Sequence, residues 1–396
     1  MLANQEGDYK MSKKIIKDCA RLLCLLLVGM ALLGCSAGPG SNKAETDQPA
    51  VSAQGTVNSE MQTVTDLVGR EVHVKIPAQR IVAVGPGSLR LVAYAEGTKG
   101  VVGIEDMEKK VPTGRPYMFA YPELKSLPTI GQGGIDTVPD EEALLSVKPD
   151  VIFIAYLVDK AKADNLQKKT GIPVVVLSYG PLATFNEKEI YQSLDLVGQI
   201  IGTQQRTAEV INYVKKSQLD LAERTKGIAD ADKPKVYVGG LGVKGTQGIE
   251  STQAKYPPFM NIGARSVVDE TGKSGSLMIE REKLVSWDPD ILFIDEGGYS
   301  KVLADAQKNP TFYQSLRAVK NGQVYGQIPY NFYTTNIDTA LADAYYAGKV
   351  IFPEKFQDID PVKKSEEIYT FLLGKPVYEE MAKDYGGFKK LDLTQP

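Results

Sequence analysis

Hydrophobic and polar positions fall into three regimes along the chain. An unbroken apolar run occupies Leu22 to Gly34. From Ser36 to about Glu60 large apolar residues nearly vanish, and Ser, Ala, Gly, Gln and Thr take over. From Met61 onward short apolar runs alternate with helical patterns, the signature of α/β units. Val64 to Val74 alternates apolar and polar residues around Gly69, which predicts an antiparallel hairpin. Continuous apolar runs predict buried parallel strands at Arg80 to Val84, Val101 to Ile104, Val151 to Ile154 and Val174 to Leu177. A second set follows at Lys235 to Val238, Ser266 to Val268, Ile291 to Ile294 and Gln323 to Tyr325.

Helical sequence separates the two sets. Thr184 and Glu187 have the Thr-x-x-Glu spacing of a capping box, so a helix should start there. Gly202 should break it, and Gln204 to about Lys226 reads as a second, long helix. Val210, Tyr213, Val214, Leu219 and Leu221 fall roughly on one face, as expected of a half-polar element bridging two domains. The chain also repeats itself. Residues 142 to 154 (Glu-Ala-Leu-Leu-Ser-Val-Lys-Pro-Asp-Val-Ile-Phe-Ile) share Glu, Leu, Ser, Pro, Asp, Phe and Ile at matching offsets with residues 282 to 294. Each copy reads as a short helix, a Pro-Asp turn and a buried strand. Two α/β lobes on one plan, joined by a helix, account for this most simply.

Lys13, Lys14, Lys17 and Arg21 precede the first apolar run, which is too short to span a bilayer and suits a signal peptide. It ends in Leu32-Leu33-Gly34-Cys35, which looks like the bacterial lipobox, whose cysteine is lipidated and becomes the mature N-terminus. Residues 1–35 are therefore expected to be a lipoprotein signal peptide, and residues 36–60 a disordered tether. Residues 1–10 are polar and acidic, unlike such a leader, so the start is either Met1 or Met11. Cys19, Cys24 and Cys35 are the only cysteines; the mature chain would keep only the acylated one, with no disulfide framework and no thiolate metal site.

At 396 residues the chain suggests more than one ordinary core. Its net charge of −3 and scattered Lys and Arg carry no nucleic-acid signal. The sole histidine, His73, lies in the expected hairpin, which argues against capture of bare zinc or manganese. Gly240-Leu-Gly242-Val-Lys-Gly245 has dinucleotide-fingerprint spacing, but no helix is signalled after it. Gly272-Lys273-Ser274 copies only the end of a phosphate-binding loop, and no G-x-S-x-G elbow is present. An enzyme is not expected.

Taken together, the lipobox, the hairpin, Arg80-Ile-Val-Ala-Val-Gly85, the paired Pro-Asp strands and the long linker resemble the periplasmic-binding-protein family for iron siderophores, haem and vitamin B12. Gly322-Gln-Val-Tyr325 is similar to that family's last-lobe strand. The resemblance implies two Rossmann-like lobes, residues 61–185 and 233–396, joined by a helical linker over residues 186–232, with the ligand cleft between them. It implies a monomeric, extracytoplasmic solute-binding lipoprotein, anchored to the membrane through Cys35, that needs no cofactor. Such a protein would deliver a ferric siderophore to an ABC permease; haem or a corrinoid is the alternative. The family offers one surface glutamate per lobe to its permease, and the matching positions are Glu142 and Glu282, with Glu141 as a substitute for the first. An exposed glutamate is also favoured near a helix N-terminus for the helix's own sake.

Loops at the carboxyl ends of strands supply the cleft candidates. In the first lobe these are Gly85 to Ser88, Arg115, Tyr117, Tyr156 and Tyr179. In the second they are Gln247, Glu250, Ser251 and Thr252 within the run Thr246 to Gln253, then Glu296, Tyr330 and Tyr333. Tyrosines offer flat apolar area with a phenol able to bond a chelate or ligate ferric iron, and arginine pairs with carboxylate or catecholate oxygens. Each has a plainer reading: a packed ring, a loop clamp at Arg115, or a helix cap at Ser88.

Overall fold

The computed structural model describes residues 59–394, apart from residues 112–113, 136–137, 157–158, 181–186 and 243–244. Cys35, most of the expected tether and Thr184 of the expected capping box lie outside the described residues. Among the described residues no helix is long and apolar enough to cross a membrane.

The hairpin forms as β1 (Glu60–Thr65) and β2 (Glu71–Ile76), antiparallel, with Thr63 opposite His73 and Val64 opposite Val72. His73 Nδ1 meets Thr63 Oγ1 at 2.8 Å, a hairpin contact. A parallel sheet follows from β3 (Ile81–Val84), β4 (Val101–Gly103), β5 (Val151–Ala155) and β6 (Val174–Leu177), in the order β4-β3-β5-β6. Helices α1 (Ser88–Tyr94), α2 (Glu141–Val147) and α3 (Lys160–Thr170) connect these strands. The expected helix pair is α4 (Glu187–Ile201) and α5 (Gln204–Thr225), parted at Gly202, whose φ is 81°. α5 has 22 residues, a rod of about 33 Å.

The second sheet has the order β13-β12-β11-β7-β9, built from β7 (Lys235–Gly239), β9 (Arg265–Ser266), β11 (Ile291–Asp295), β12 (Val324–Gln327) and β13 (Lys389–Lys390). It is parallel except for β13. β8 (Ser251–Ala254) and β10 (Gly275–Met278) pair as a separate antiparallel ribbon. The helices used below are α6 (Arg281–Trp287) and α7 (Ile337–Ile351). The strand expected over Ser266 to Val268 is cut short. Val267 and Val268 start a 3₁₀ turn and bury themselves in the second-sheet core, so the apolar run marked packing and not extension.

Alternation along each strand divides the core. Ile81, Ala83, Val151 and Phe153 join Val236, Val238, Ile291 and Phe293 in one continuous inner cluster shared by both sheets. Val82, Val84, Ile152 and Ile154 face an outer cluster of the first sheet, and Tyr237, Leu292 and Ile294 an outer cluster of the second. The connection is more than the expected helix. α7 is buried almost throughout; it begins where Tyr94 Oη on α1 donates to Asp338 Oδ2 at 2.9 Å, and further along Tyr346 meets Phe293 on β11 edge-on at 6.2 Å.

The repeated segments take the same shape in atomic detail. α2 and α6 both end in a left-handed residue, Lys148 (φ 47°) and Asp288 (φ 44°), ahead of the Pro-Asp pair. Asp150 Oδ2 accepts the backbone N–H of Gln79 and Arg80, and Asp290 Oδ2 accepts that of Lys235. Arg80 Nη2 then donates to the carbonyl of Val147, and Lys235 Nζ to that of Trp287. Each staple fixes the helix end to the amino end of the neighbouring strand.

Candidate functional site

The first site elements lie where β3 ends. Gly85 (φ 82°) turns the chain against β5, where an added Cβ would sit 2.3 Å from the Ala155 carbonyl oxygen. Gly87 (φ 83°) occupies the N-cap of α1, and a Cβ there would meet Thr334 Cγ2 at 2.4 Å and Tyr179 Cε2 at 2.6 Å. Only glycine permits this approach. Ser88 is the first helical residue, one place beyond the cap, and its buried Oγ donates to the Phe153 carbonyl at 3.1 Å. Its hydroxyl braces the turn.

The segment 331–336, between β12 and α7, drops onto this turn from the other half of the chain. Tyr333 and Thr334 both hold positive φ, 57° and 65°, a strained pair for side-chain-bearing residues. Arg90 holds them there. Fully buried on α1, it donates to Asn336 Oδ1 (2.8 Å) and to the carbonyls of Thr335 (2.9 Å), Phe332 (3.1 Å) and Tyr333 (3.2 Å). Asn336 Nδ2 donates to the Gly114 carbonyl at 3.0 Å. Tyr333 Oη donates to Glu105 Oε2 at 2.8 Å and accepts from Gly134 N. Glu105, just past β4, also accepts from Gly85 N at 2.9 Å; burial raises its pKa to about 7.

Arg115 and Tyr117 form the next layer. Both are fully buried and converge on Glu108: Arg115 Nε lies 3.1 Å from Oε2, and Tyr117 Oη donates to the carboxylate at 2.9 Å. Burial pushes the Glu108 carboxyl up while Arg115 pulls it down. The Arg115 guanidinium lies 5.2 Å over the Phe332 ring, and its Nη1 has no hydrogen-bond partner among the described residues. Tyr179 Oη donates to the Gly87 carbonyl at 3.0 Å. Tyr156, directly after β5, is half-buried with φ 79°. Tyr179 and Tyr333 thus tie to the glycine turn, and Arg115 and Tyr117 form the layer behind it around Glu108 and Phe332. Arg90, Glu105, Glu108 and Asn336 were not singled out, although a lone cation inside the apolar run Leu89-Arg90-Leu91-Val92 is a readable signal.

The second-half candidates are placed otherwise. The loop after β7 opens no helix among its described residues; it closes with Gly240 N donating to the Gly248 carbonyl and leads past the half-buried Gln247. Glu250 pairs with Arg281 Nε at 2.6 Å. Ser251 and Thr252, expected on a strand-end loop, belong to the buried strand β8, where their hydroxyls donate to the carbonyls of Leu241 and Val238, both at 2.6 Å. A strand reading Ser-Thr-Gln-Ala satisfies its buried polar atoms internally, so no apolar run announced it. Tyr330 Oη donates to Gln253 Oε1 at 2.8 Å. Glu296 is enclosed between Gly326 and Gly386 with Lys389 Nζ at 3.5 Å; burial raises it to about 8 and its neighbour Asp295 to about 7. Asp343, on α7, is coupled to both and pushed up by burial.

Glu142 and Glu282 occupy the second helical position of α2 and α6 and are exposed, with no ion pair or hydrogen bond among the described residues. Glu141 instead pairs with Lys169 at 2.8 Å. Because each helix runs back against its sheet, its first turn lies toward the carboxyl edge, the edge that carries the loops above. Trp287, at the far end of α6, lies toward the amino edge. No group of three or more His, Cys, Asp or Glu side chains stands at metal-binding spacing among the described residues.

Known proteins align with this architecture. The family described as periplasmic binding protein matches residues 81–328. The molybdate-binding protein MolA of Haemophilus influenzae is 24% identical over 326 residues, 77% of this chain and 89% of that one. An uncharacterised ABC transporter substrate-binding lipoprotein of Bacillus subtilis, YvrC, is 23% identical over 84% of this chain and 97% of its own. The Fe(3+)-citrate-binding protein YfmC of the same organism is 28% identical over 48% of this chain and 58% of its own. Among solved structures, a periplasmic solute-binding protein of Veillonella parvula superposes with a TM-score of 0.65 at 20% identity, covering 82% of this chain and 97% of that chain. Molybdate-bound MolA gives 0.64 at 18% identity, covering 80% and 98%.

Proposed function

The chain belongs to the periplasmic binding protein family, whose members hand solutes to ABC importers, and we propose that it captures an anionic metal complex, a ferric chelate, outside the cytoplasm. In this reading Cys35 carries the lipid anchor, residues 36–60 are the tether, and residues 61–185 and 233–396 are the lobes on either side of the 186–232 linker. The ligand is held by the carboxyl-edge loops and delivered through Glu142 and Glu282.

One observation carries the ligand class. The phenols of Tyr179 and Tyr333 both tie to the Gly85–Ser88 turn, the first through the Gly87 carbonyl and the second through Glu105, with the permanent cation Arg90 3.5 Å from Tyr179 and Arg115 over the Phe332 ring. Phenolic and guanidinium groups suit oxygen-rich anions around a metal centre. Arg115 retains an unused donor, which small lobe opening would present to such an anion. The names of two relatives, molybdate-binding and Fe(3+)-citrate-binding, share that chemistry. The MolA alignment is the longer of the two and favours a compact oxyanion as the second reading. Haem or a corrinoid is the alternative chelate.

Calorimetric titration of the protein with ferric citrate, a ferric siderophore, molybdate, haem, cobalamin and free metal ions tests this. Saturable submicromolar binding of a ferric chelate, with free metal inert, is expected. Binding of molybdate alone would move the cargo to oxyanions, and silence across the panel would end the metal-complex assignment.

A further inference from the structure

Ten large hydrophobic side chains are exposed among the described residues, and four of them fall at two pairs of equivalent positions in the repeat. Leu145 is 48% exposed and Val285 41%; each lies one helical turn beyond the glutamate of its lobe. Val138 is 72% exposed and Met278 61%; each lies four residues ahead of that glutamate. The helices do not need these side chains. Leu144 and Leu284 supply the core contact of α2 and α6 and are buried. A hydrophobic staple would use the residue just before the cap, Pro139 or Ile279, and not Val138 or Met278. Single exposed aliphatics are ordinary. The same two, bracketing the same unpaired carboxylate, in both lobes are not.

Resting on the docking role given to Glu142 and Glu282 above, we infer that each lobe presents a composite patch, Val138–Glu142–Leu145 and Met278–Glu282–Val285, to a membrane permease with two equivalent receiving sites. Each receiving site would be a cation set in an apolar rim. The charge argues for that occupant. Asp140 or Glu280 stands beside the unpaired glutamate in each patch, Glu141 and Arg281 are neutralised by Lys169, Glu250 and Asp305, and Lys283, next to Glu282, turns its ammonium over the Trp287 ring at 5.0 Å. Both patches are therefore negative at the centre and apolar around it, and duplication within one chain calls for duplication in the partner. An ion pair left in water contributes little. Aliphatic flanks that exclude water are what make such a contact hold, while the charge governs orientation and encounter rate.

The test uses the full-length chain in its own cell membrane, with a photo-reactive amino acid in place of Leu145 or of Val285. Both positions are expected to cross-link to the same integral-membrane permease subunit. Leu145→Gln combined with Val285→Gln should lower permease recovery at least about tenfold, with the melting temperature and ligand titration unchanged. Glu142→Gln combined with Glu282→Gln should mainly slow capture and remove its salt dependence. If charge reversal of both glutamates abolishes permease recovery while Gln at 145 and 285 leaves recovery intact, the docking role stands and the apolar part of the patch is overturned. If neither pair matters, the docking role itself falls. Cross-links to lipid or to a second copy of this chain would also overturn the inference.

Discussion

At the amino edge of the first sheet Asp150 ties α2 to the start of β3, and at the amino edge of the second Asp290 ties α6 to the start of β7 with the same atoms. At the carboxyl edges the two halves have nothing in common. The first gathers Arg90, Arg115, Tyr117, Tyr179 and Tyr333 around a glycine turn, with every carboxylate paired or hydrogen-bonded. The second buries Asp295, Glu296 and Asp343, with the first two pushing the third further up, and Lys389, 3.5 Å from Glu296, is the cation that pairs there among the described residues. A βαβ unit is specified by what joins helix to strand, so a duplicated plan must keep that joint. The loops at the other edge are not needed to fold the sheet and are free to specialise.

The sharpest way to break this comparison is to remove the cation from the first edge. Arg90→Met keeps the apolar stem but leaves the carbonyls of Phe332, Tyr333 and Thr335 and Asn336 Oδ1 buried without their donor. Such a loss costs about 3–4 kcal/mol, read as a lower midpoint in urea unfolding. It should also release the positive-φ pair Tyr333–Thr334 and weaken ligand binding. No single charge at the second edge should match it. A change under about 1 kcal/mol would mean that water replaces the guanidinium and that Arg90 does not hold the segment.

The second edge should respond to pH in the opposite sense from an ion-paired site. Burial raises Asp295 to about 7 and Glu296 to about 8, above their unfolded values, while Lys389 pulls Glu296 only partway back. A raised carboxyl binds its proton more tightly in the folded state. Its stabilising contribution is complete below the unfolded pKa and is lost as pH climbs through the folded one. Stability should therefore fall by about 3 kcal/mol between pH 6 and pH 9. Asp295→Asn combined with Glu296→Gln should flatten that slope. A melting temperature that does not change over this range would show the pair to be already neutralised, by Lys389 or by a bound cation. Glu105, raised to about 7, adds a smaller fall of the same sign from the first edge.

What the sequence made legible follows the same division. Parallel strands buried on both faces wrote themselves as apolar runs, and the repeat, the hairpin around Gly69 and the helix pair parted at Gly202 were readable from spacing. β8 was not, because its residues are polar and its hydroxyls are satisfied by the carbonyls of Leu241 and Val238, at and just past the end of β7, so no apolar run marks it. α7 was not read as a second bridge, since its partners Tyr94 and Phe293 lie in different lobes. Tyr179 and Tyr333 could be named because they follow strands. Nothing local reveals that Arg90 would reach across more than two hundred residues to hold Tyr333 in place.

The smallest effect addresses the edge where the halves agree. Asp150→Ala frees two backbone donors at the start of β3 and loses a long ion pair with Lys75 at 3.8 Å, and Asp290→Ala frees one at the start of β7 and breaks an ion pair with Arg317. That pair is half in water and adds little. Each substitution should cost about 1–2 kcal/mol, and the two costs should agree within about 0.5 kcal/mol because the geometry is shared. Asp150 and Asp290 lie in different lobes with no common partner, so the double variant should show their sum. Non-additivity there would mean that strain at one amino edge is felt by the other, through the core that both sheets share and the long helices that cross it. Such coupling would make the molecule a single mechanical unit, in which a change at the first carboxyl edge alters the helix that carries Glu282 as well.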